Sequence, residues 1–249
     1  MLLNIAADIA KLSLFIACAY ALLGVYARRR RPQWAAQLTN RRLAVLGALT
    51  LAVAGIKLIE DVVAKESGPV DEAILWFVQN HMPAALSGFF AVVTISGSAQ
   101  FLVPLAAAAA SALLLARRRF EAVLVVASLL TATLVVWGMK VMVGRARPAL
   151  WETQGAWGAS FPSGHTLSTA AFATAGALCV AQIWPRAGTL AMALGVTWTL
   201  LVALSRLVLG VHWPSDVLAA ICLGAFIPLL FSVASELHGR SAGALDRSI

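Results

Sequence analysis

Seven apolar stretches, at about 12–26, 43–59, 101–116, 122–142, 166–183, 188–209 and 217–233, set the frame of this 249-residue sequence. Each comes close to the roughly 20 apolar residues that carry a helix across a bilayer. Together they consume most of the chain, so the expected fold class is all-α, a polytopic transmembrane helical bundle with no room for a second soluble domain. Composition agrees: 61% of residues are hydrophobic and 12% charged, against about 45–50% and 25% in soluble domains. That excludes a soluble globular chain and a disordered one. The 18 glycines and 9 prolines follow no fixed period, which excludes a collagen-like repeat.

The first stretch competes with a signal peptide, in which positive charge precedes the apolar run. Here Arg28, Arg29, Arg30 and Arg31 follow it, so the reading is a retained helix whose N-terminus faces outward. Alternate connections then hold Arg28 to Arg31, Arg41, Arg42, Arg117 to Arg119, Arg186, Arg240 and Arg247, twelve of the 19 basic residues. The opposite side keeps Lys11, Lys57, Lys65, Lys140, Arg145, Arg147 and Arg206, and collects Glu60, Asp61, Glu66, Asp71 and Glu72. The positive-inside rule makes the arginine-rich side cytoplasmic. The net charge of +8 is thereby read as topology, with no nucleic acid partner implied.

Residues 1–42 form an N-terminal transmembrane helix and basic cytoplasmic loop, 43–235 a six-helix unit, and 236–249 a cytoplasmic tail. The expected location is a multi-pass protein of the cell's inner (plasma) membrane. Between the second and third stretches, 71–90 carries Ile74, Leu75, Trp76, Phe77 and Val78 before His81 and Pro83; a short helix at the outer interface and a packed loop fit equally well. Cys18, Cys179 and Cys222 lie in apolar runs and are read as packing residues.

Three polar clusters stand where the fourth to seventh stretches meet the outer surface. The first, Lys140-Val-Met-Val-Gly144-Arg145-Ala-Arg147-Pro148, ends the fourth. Gly144 and Pro148 predict that the helix stops there, letting Lys140 and Arg147 bend toward one point. Such cations without a carboxylate nearby suggest an anionic ligand, and the planar arginine suits phosphate. The second, Pro162-Ser163-Gly164-His165, opens the fifth stretch. Ser163 is the expected N-cap, and the unpaired backbone N–H groups behind it make an anion site that Gly164 lets a phosphate approach. His165 there can serve as a proton donor. The third runs from Ser205-Arg206 to His212-Trp213-Pro214-Ser215-Asp216. One helical turn separates His212 from Asp216, so the carboxylate can hold one ring nitrogen and leave the other as a nucleophile.

These clusters resemble the three signature motifs of the phosphatidic acid phosphatase type 2 superfamily, lipid phosphate phosphatases that share a core with vanadium haloperoxidases. Lys140, six residues, then Arg147-Pro148 matches the first motif. Pro162-Ser163-Gly164-His165 matches the second, and Ser205-Arg206, His212 and Asp216 the third. One departure is Ala219-Ala220, where an Ala-Gly pair often follows the last motif; it is read as a packing variation. The resemblance implies a six-helix core with the first helix an addition.

It also implies roles. His212 would attack phosphorus to form a phosphohistidine, Asp216 would hold its tautomer, and His165 would protonate the departing oxygen. Lys140, Arg147, Arg206, Ser163 and the Gly164 backbone would hold the phosphoryl oxygens. No metal or other cofactor is expected. The expected activity is hydrolysis of a membrane lipid phosphate, a phosphate monoester or diphosphate head group of the phosphatidate, phosphatidylglycerol phosphate or undecaprenyl diphosphate type, at the outer face. A lipid-to-lipid phosphotransferase would use the same motifs, and a non-enzymatic transporter would be expected to show two repeated halves, which the sequence lacks. Oligomeric state is left open.

Overall fold

The computed structural model describes residues 2–150 and 158–237. The segment between the first two motifs that includes Ala156, and the tail carrying Arg240 and Arg247, lie outside the described residues.

The described residues form ten α-helices and no strand. In order they are α1 (Leu2–Arg30), α2 (Pro32–Asn40), α3 (Arg42–Val63), α4 (Gly68–His81), α5 (Ser87–Ile95), α6 (Ala99–Leu115), α7 (Arg119–Val143), α8 (Gly164–Ile183), α9 (Gly188–Val208) and α10 (Pro214–Leu237). The residue types that start and stop them are those that physics favours. Pro214 opens α10, where a missing N–H costs nothing. α7 ends at Gly144, whose φ of +58° is a left-handed conformation that only glycine adopts without strain.

Six helices are long and apolar enough to cross a bilayer, with spans at Ala10–Arg30, Arg42–Val63, Arg119–Val143, Gly164–Ile183, Pro185–Val208 and Pro214–Leu237. The protein is therefore a multi-pass helical bundle. The expected third span is broken: α5 and α6 are long and apolar enough only as a bent pair. α6 has 17 residues, about 26 Å at 1.5 Å per residue, short of the ~30 Å hydrocarbon thickness. It pairs with α5 across a 43° bend. Ser96-Gly97-Ser98 makes the break: Ser98 caps α6 by accepting the Phe101 N–H at 3.3 Å. At Gly97 a β-carbon would come within 2.7 Å of Val202 Cγ1 and 3.3 Å of His165 Cβ. The elbow thus rests against the helix start that carries His165.

The 71–90 segment resolves in favour of a helix, α4, which ends at His81 just before Pro83. The stretch expected as a basic loop contains an unforeseen helix, α2, opened by Pro32. Its Leu38 joins Ala27 and Val45 in a small core at the arginine-rich end.

The bundle packs around α8 and α10. α8 lies against α9, α10 and α7, while α10 also packs on α3; α1 rests chiefly on α2 and α3. Small residues make the closest approach, as expected where lipid supplies no hydrophobic drive between helices. A β-carbon at Gly224 of α10 would meet the Leu167 carbonyl oxygen of α8 at 2.4 Å. Ala220 is fully buried on this seam, and Ala219 is fully buried in a neighbouring cluster with Val62 and Phe161. Large apolar side chains point outward instead, with Trp137 69% and Leu194 62% exposed. Polar side chains gather inside, at the end of the bundle where α7, α8, α9 and α10 meet.

Candidate active site

That polar end is assembled by helix termini. Lys140 sits on the last turn of α7, His165 on the first turn of α8, Arg206 on the last turn of α9, and Asp216 on the first turn of α10. The three sequence clusters therefore converge. Lys140 lies within electrostatic reach of Arg147, Asp216 and Arg206, and His165 within reach of Arg206, His212, Lys140 and Arg147. The Ser163 N–H donates to the Asp216 carbonyl at 3.2 Å, stitching the second cluster to the third.

His212 is 2% exposed and lies between two partners. Its Nδ1 faces Asp216 Oδ2 at 3.4 Å. Its Nε2 faces Arg147 Nη1 at 3.3 Å. A guanidinium can only donate, so Nε2 must accept, and the single proton of the neutral ring belongs on Nδ1, toward the carboxylate. Burial, reinforced by the charges of Arg206 and Arg147 and opposed by Asp216, pushes the His212 pKa down to about 4. The ring is neutral at pH 7, with a lone pair on Nε2 beside a cation.

Around this nitrogen the cations are fixed from outside the site. Lys140 Nζ donates to the Ala159 carbonyl at 2.9 Å. Arg147 donates from Nε to the Gly158 carbonyl at 3.1 Å and from Nη1 to the Val211 carbonyl at 2.7 Å. Arg206 Nη1 donates to Thr94 Oγ1 of α5 at 2.6 Å, while its Nε is buried without a hydrogen-bond partner. A buried guanidinium N–H left unmade is costly, and an anion accepting from it removes the cost.

Ser163 occupies the N-cap of α8, but its hydroxyl pairs with Thr166 Oγ1 at 3.0 Å and caps no backbone N–H. The first helical bond runs from Leu167 N–H to the Ser163 carbonyl, so Gly164, His165 and Thr166 present the orphan N–H donors of the helix start. A β-carbon at Gly164 would meet only Val136, at an ordinary 3.5 Å. The protein leaves room there for a ligand to approach the backbone.

Asp216 is fully buried. Its Oδ2 accepts from Ser160 Oγ at 2.5 Å and from the Trp213 N–H at 3.0 Å, besides facing His212. Its Oδ1 accepts from Arg145 Nη1 at 2.7 Å. Arg145 departs from the expectation that the cations of the first cluster lack carboxylates: it bridges Asp216 and Asp71 of α4, the latter at 2.6 Å. It is thus committed inside the wall. Asp71, Ser160, Thr94 and the bridging place of Arg145 were not among the residues picked out in the sequence. Each acts across a long separation in the chain, and the only local signal was a carboxylate opening an apolar-rich interfacial segment. Among the described residues no three His, Cys, Asp or Glu side chains gather as a metal-ligating group.

Residues 121–239 match the family model described as "PAP2 superfamily". An 88-residue stretch is 41% identical to phosphatidylglycerophosphatase B of Escherichia coli (strain K12), covering 35% of this chain and 32% of that protein. A 105-residue stretch is 32% identical to lipid A 1-phosphatase of Rhizobium johnstonii, covering 38% of this chain and 40% of that protein. The chain thus spans well under half the length of the curated relatives it matches. The fold is similar to the crystal structure of the first transmembrane PAP2 type phosphatidylglycerolphosphate phosphatase from Bacillus subtilis, with a TM-score of 0.70 and 23% identity over 76% of this chain and 96% of that one. The matched residues 121–239, which supply Lys140, Arg147, His165, Arg206, His212 and Asp216, are thus similar to the PAP2 superfamily.

Proposed function

We propose that this protein is an integral-membrane lipid phosphatase that hydrolyses a phosphate monoester or diphosphate head group through a phosphohistidine intermediate. The observation that carries the reading is the surrounding of His212 Nε2. A neutral imidazole lone pair, held in its tautomer by a buried carboxylate, stands beside Arg147, with Lys140, Arg206 and the α8 N-terminus within the same cluster. Phosphoryl transfer asks chiefly for such positioning and charge.

In the first half-reaction Nε2 attacks phosphorus, the bond from phosphorus to the leaving oxygen breaks, and His165 gives that oxygen a proton. Asp216 accepts the Nδ1–H and balances the imidazolium that forms. Lys140, Arg147, Arg206, Ser163 and the Gly164 N–H hold the non-bridging oxygens. In the second half-reaction His165 takes a proton from water, which attacks phosphorus; the N–P bond breaks and inorganic phosphate leaves. These residues supply the positive charge the transition state needs, so the reaction is read as metal-independent. The catalytic unit is residues 43–235, and the first helix, which rests chiefly on α2 and α3, is an addition to it.

The site is placed on the outer face of the inner (plasma) membrane. Supporting this, Arg117 to Arg119 lie one crossing from Lys140, and Arg186 lies one crossing from both His165 and Arg206. The names of the similar proteins put phosphatidylglycerol phosphate first among candidate substrates and lipid A 1-phosphate next. The test is phosphate release by purified protein from these lipids, phosphatidate and undecaprenyl diphosphate, in excess EDTA. Release from at least one, an acid-labile phosphoprotein on rapid quench, and loss of both in His212→Ala are expected. Parental turnover by His212→Ala, or loss in EDTA restored by Mg²⁺, would overturn the reading.

A further inference from the structure

Asp71 is a carboxylate on the interfacial helix α4 that is 2% exposed and that the chemistry above leaves unused. Its Oδ1 accepts the Ser215 N–H at 2.8 Å, and its Oδ2 accepts from Ser215 Oγ and Arg145 Nη2, both at 2.6 Å. Ser215 lies in the first turn of α10, beside Asp216. Arg145 completes the link: Nη2 also donates to Ser67 Oγ at 3.2 Å, and Nη1 donates to Ser215 Oγ and Asp216 Oδ1, both at 2.7 Å. All four Nη hydrogens are thereby placed, and the guanidinium carbon lies 5.4 Å from the centre of the Trp213 ring. The result is a chain of alternating charge, Asp71, Arg145, Asp216, ending at His212 Nδ1.

The charges in that chain decide what it does. Arg145 alone would neutralise Asp216, and the developing His212 imidazolium would then face a carboxylate whose charge is already matched. With Asp71 on its far side, Arg145 is shared between two carboxylates, and the trio keeps one net negative charge. That charge meets His212 when its Nε2 becomes bonded to phosphorus. Against it stand Lys140, Arg147 and Arg206, which face the phosphoryl group.

We propose that Asp71 is a positioning residue for the reaction, sharing the charge of Arg145 so that Asp216 retains its own for His212, and holding the first turn of α10 in place. The proposal rests on the phosphatase reading above. Asp71 touches neither His212 nor the phosphoryl group; it acts through Arg145 and Ser215.

Asp71→Asn keeps the shape and removes the charge. It should lower kcat by about 10- to 100-fold, the range usual for residues that orient a reacting group's partner, with KM close to the parent and a lower thermal midpoint, because the amide nitrogen meets donors that the carboxylate accepted. Asp71→Glu should recover part of the loss. The decisive variant is the double substitution Asp71→Asn with Arg145→Gln, which removes one charge of each sign and restores the net negative charge at Asp216. It should turn over faster than Asp71→Asn alone. A purely architectural role would make the double variant slower than either single one. Parental kcat in Asp71→Asn, a change confined to KM, or a double variant no faster than Asp71→Asn would each overturn the proposal.

Failure of the phosphatase reading would show separately, as a parent protein that releases no phosphate from any lipid in the panel. The charge chain is then read from the ¹⁵N resonances of His212, labelled in the parent and in Asp71→Asn. A change in the Nδ1–H signal, reversed in the double variant, supports the coupling. Superimposable signals refute it.

Discussion

Replacing Gly224 by alanine tests whether the seam between α8 and α10 sets the geometry of the site. The new β-carbon would stand 2.4 Å from the Leu167 carbonyl oxygen, 2.7 Å from Ala170 Cβ and 3.2 Å from Ala171 N, where ordinary contact begins at 3.4 Å. Backbone atoms of α8 cannot rotate away, so the two helices must part by about 1 Å at this point. Overpacking of this kind costs about 1–3 kcal/mol, of which the gain in helix propensity from glycine to alanine returns up to about 1 kcal/mol.

The chemical cost is larger. Gly224 lies eight residues from Asp216, about 12 Å along the helix at 1.5 Å per residue. The two helix starts that must stay in register are joined there by the single 3.2 Å bond from Ser163 to the Asp216 carbonyl. A displacement near 1 Å between the His212–Asp216 pair and the N–H groups of α8 is worth about 10²-fold in rate. Thermal unfolding in detergent and steady-state phosphate release measure the two effects separately. Gly176→Ala on α8, where an added β-carbon meets nothing within 4 Å, is the control and should be neutral or mildly stabilising. A Gly224→Ala protein with parental kcat and the same thermal midpoint as Gly176→Ala would refute the reasoning.

Other outcomes follow from the site. His165→Ala should lose about 10²–10⁴-fold with an alkyl phosphate, the usual worth of a general acid, and much less with p-nitrophenyl phosphate, whose leaving group needs no proton; equal losses on both would remove the proton-donor role. His212 has its pKa lowered to about 4 in the folded protein against about 6.5 unfolded, so unfolding takes up a proton between those values. Stability is then highest above pH 6.5 and falls as the pH drops toward 4; the thermal midpoint should show this slope, and His212→Gln should flatten it. With Cys18, Cys179 and Cys222 replaced, a cysteine at exposed Asn80 should react with an impermeant thiol reagent once any outer envelope is permeable. One at exposed Arg186 should react only after the inner membrane is broken; the reverse pattern would move the site to the cytoplasm.

The sequence was most legible where chemistry and spacing coincide in a short window. Lys140 to Arg147, Pro162 to His165 and Arg206 to Asp216 were recognisable because each cluster fits on one helix end, and Gly144 marked where α7 stops. Long apolar runs announced seven spans, six of which are single helices of spanning length, since a bilayer demands continuous length. What escaped was set by contacts between distant elements. Asp71 read as one of several outer acidic residues, and only the approach of α4 to α10 turns it into a partner of Ser215, 144 positions away. Arg145 looked like its neighbours Lys140 and Arg147, but its guanidinium is taken by two carboxylates. The break between α5 and α6 rested on Ser96-Gly97-Ser98, too short a polar interruption to outweigh the apolar residues on both sides.

The seat of α4 has a practical consequence. One side of this helix carries Asp71 into the protein, while Val70 and Phe77, each 62% exposed, are turned outward. His81 of the same helix stacks on Phe77, and the rest of those two side chains is left to the surrounding medium, which so completes the mounting of a helix that reaches Asp216 through one arginine. What replaces the bilayer during purification therefore becomes part of the wall. Rates compared across detergents, nanodiscs and native membranes will differ in how firmly α4 is held as well as in how substrate is delivered. A fall in turnover on solubilisation, recovered on return to lipid, is the signature of a catalytic centre that borrows its rigidity from its solvent.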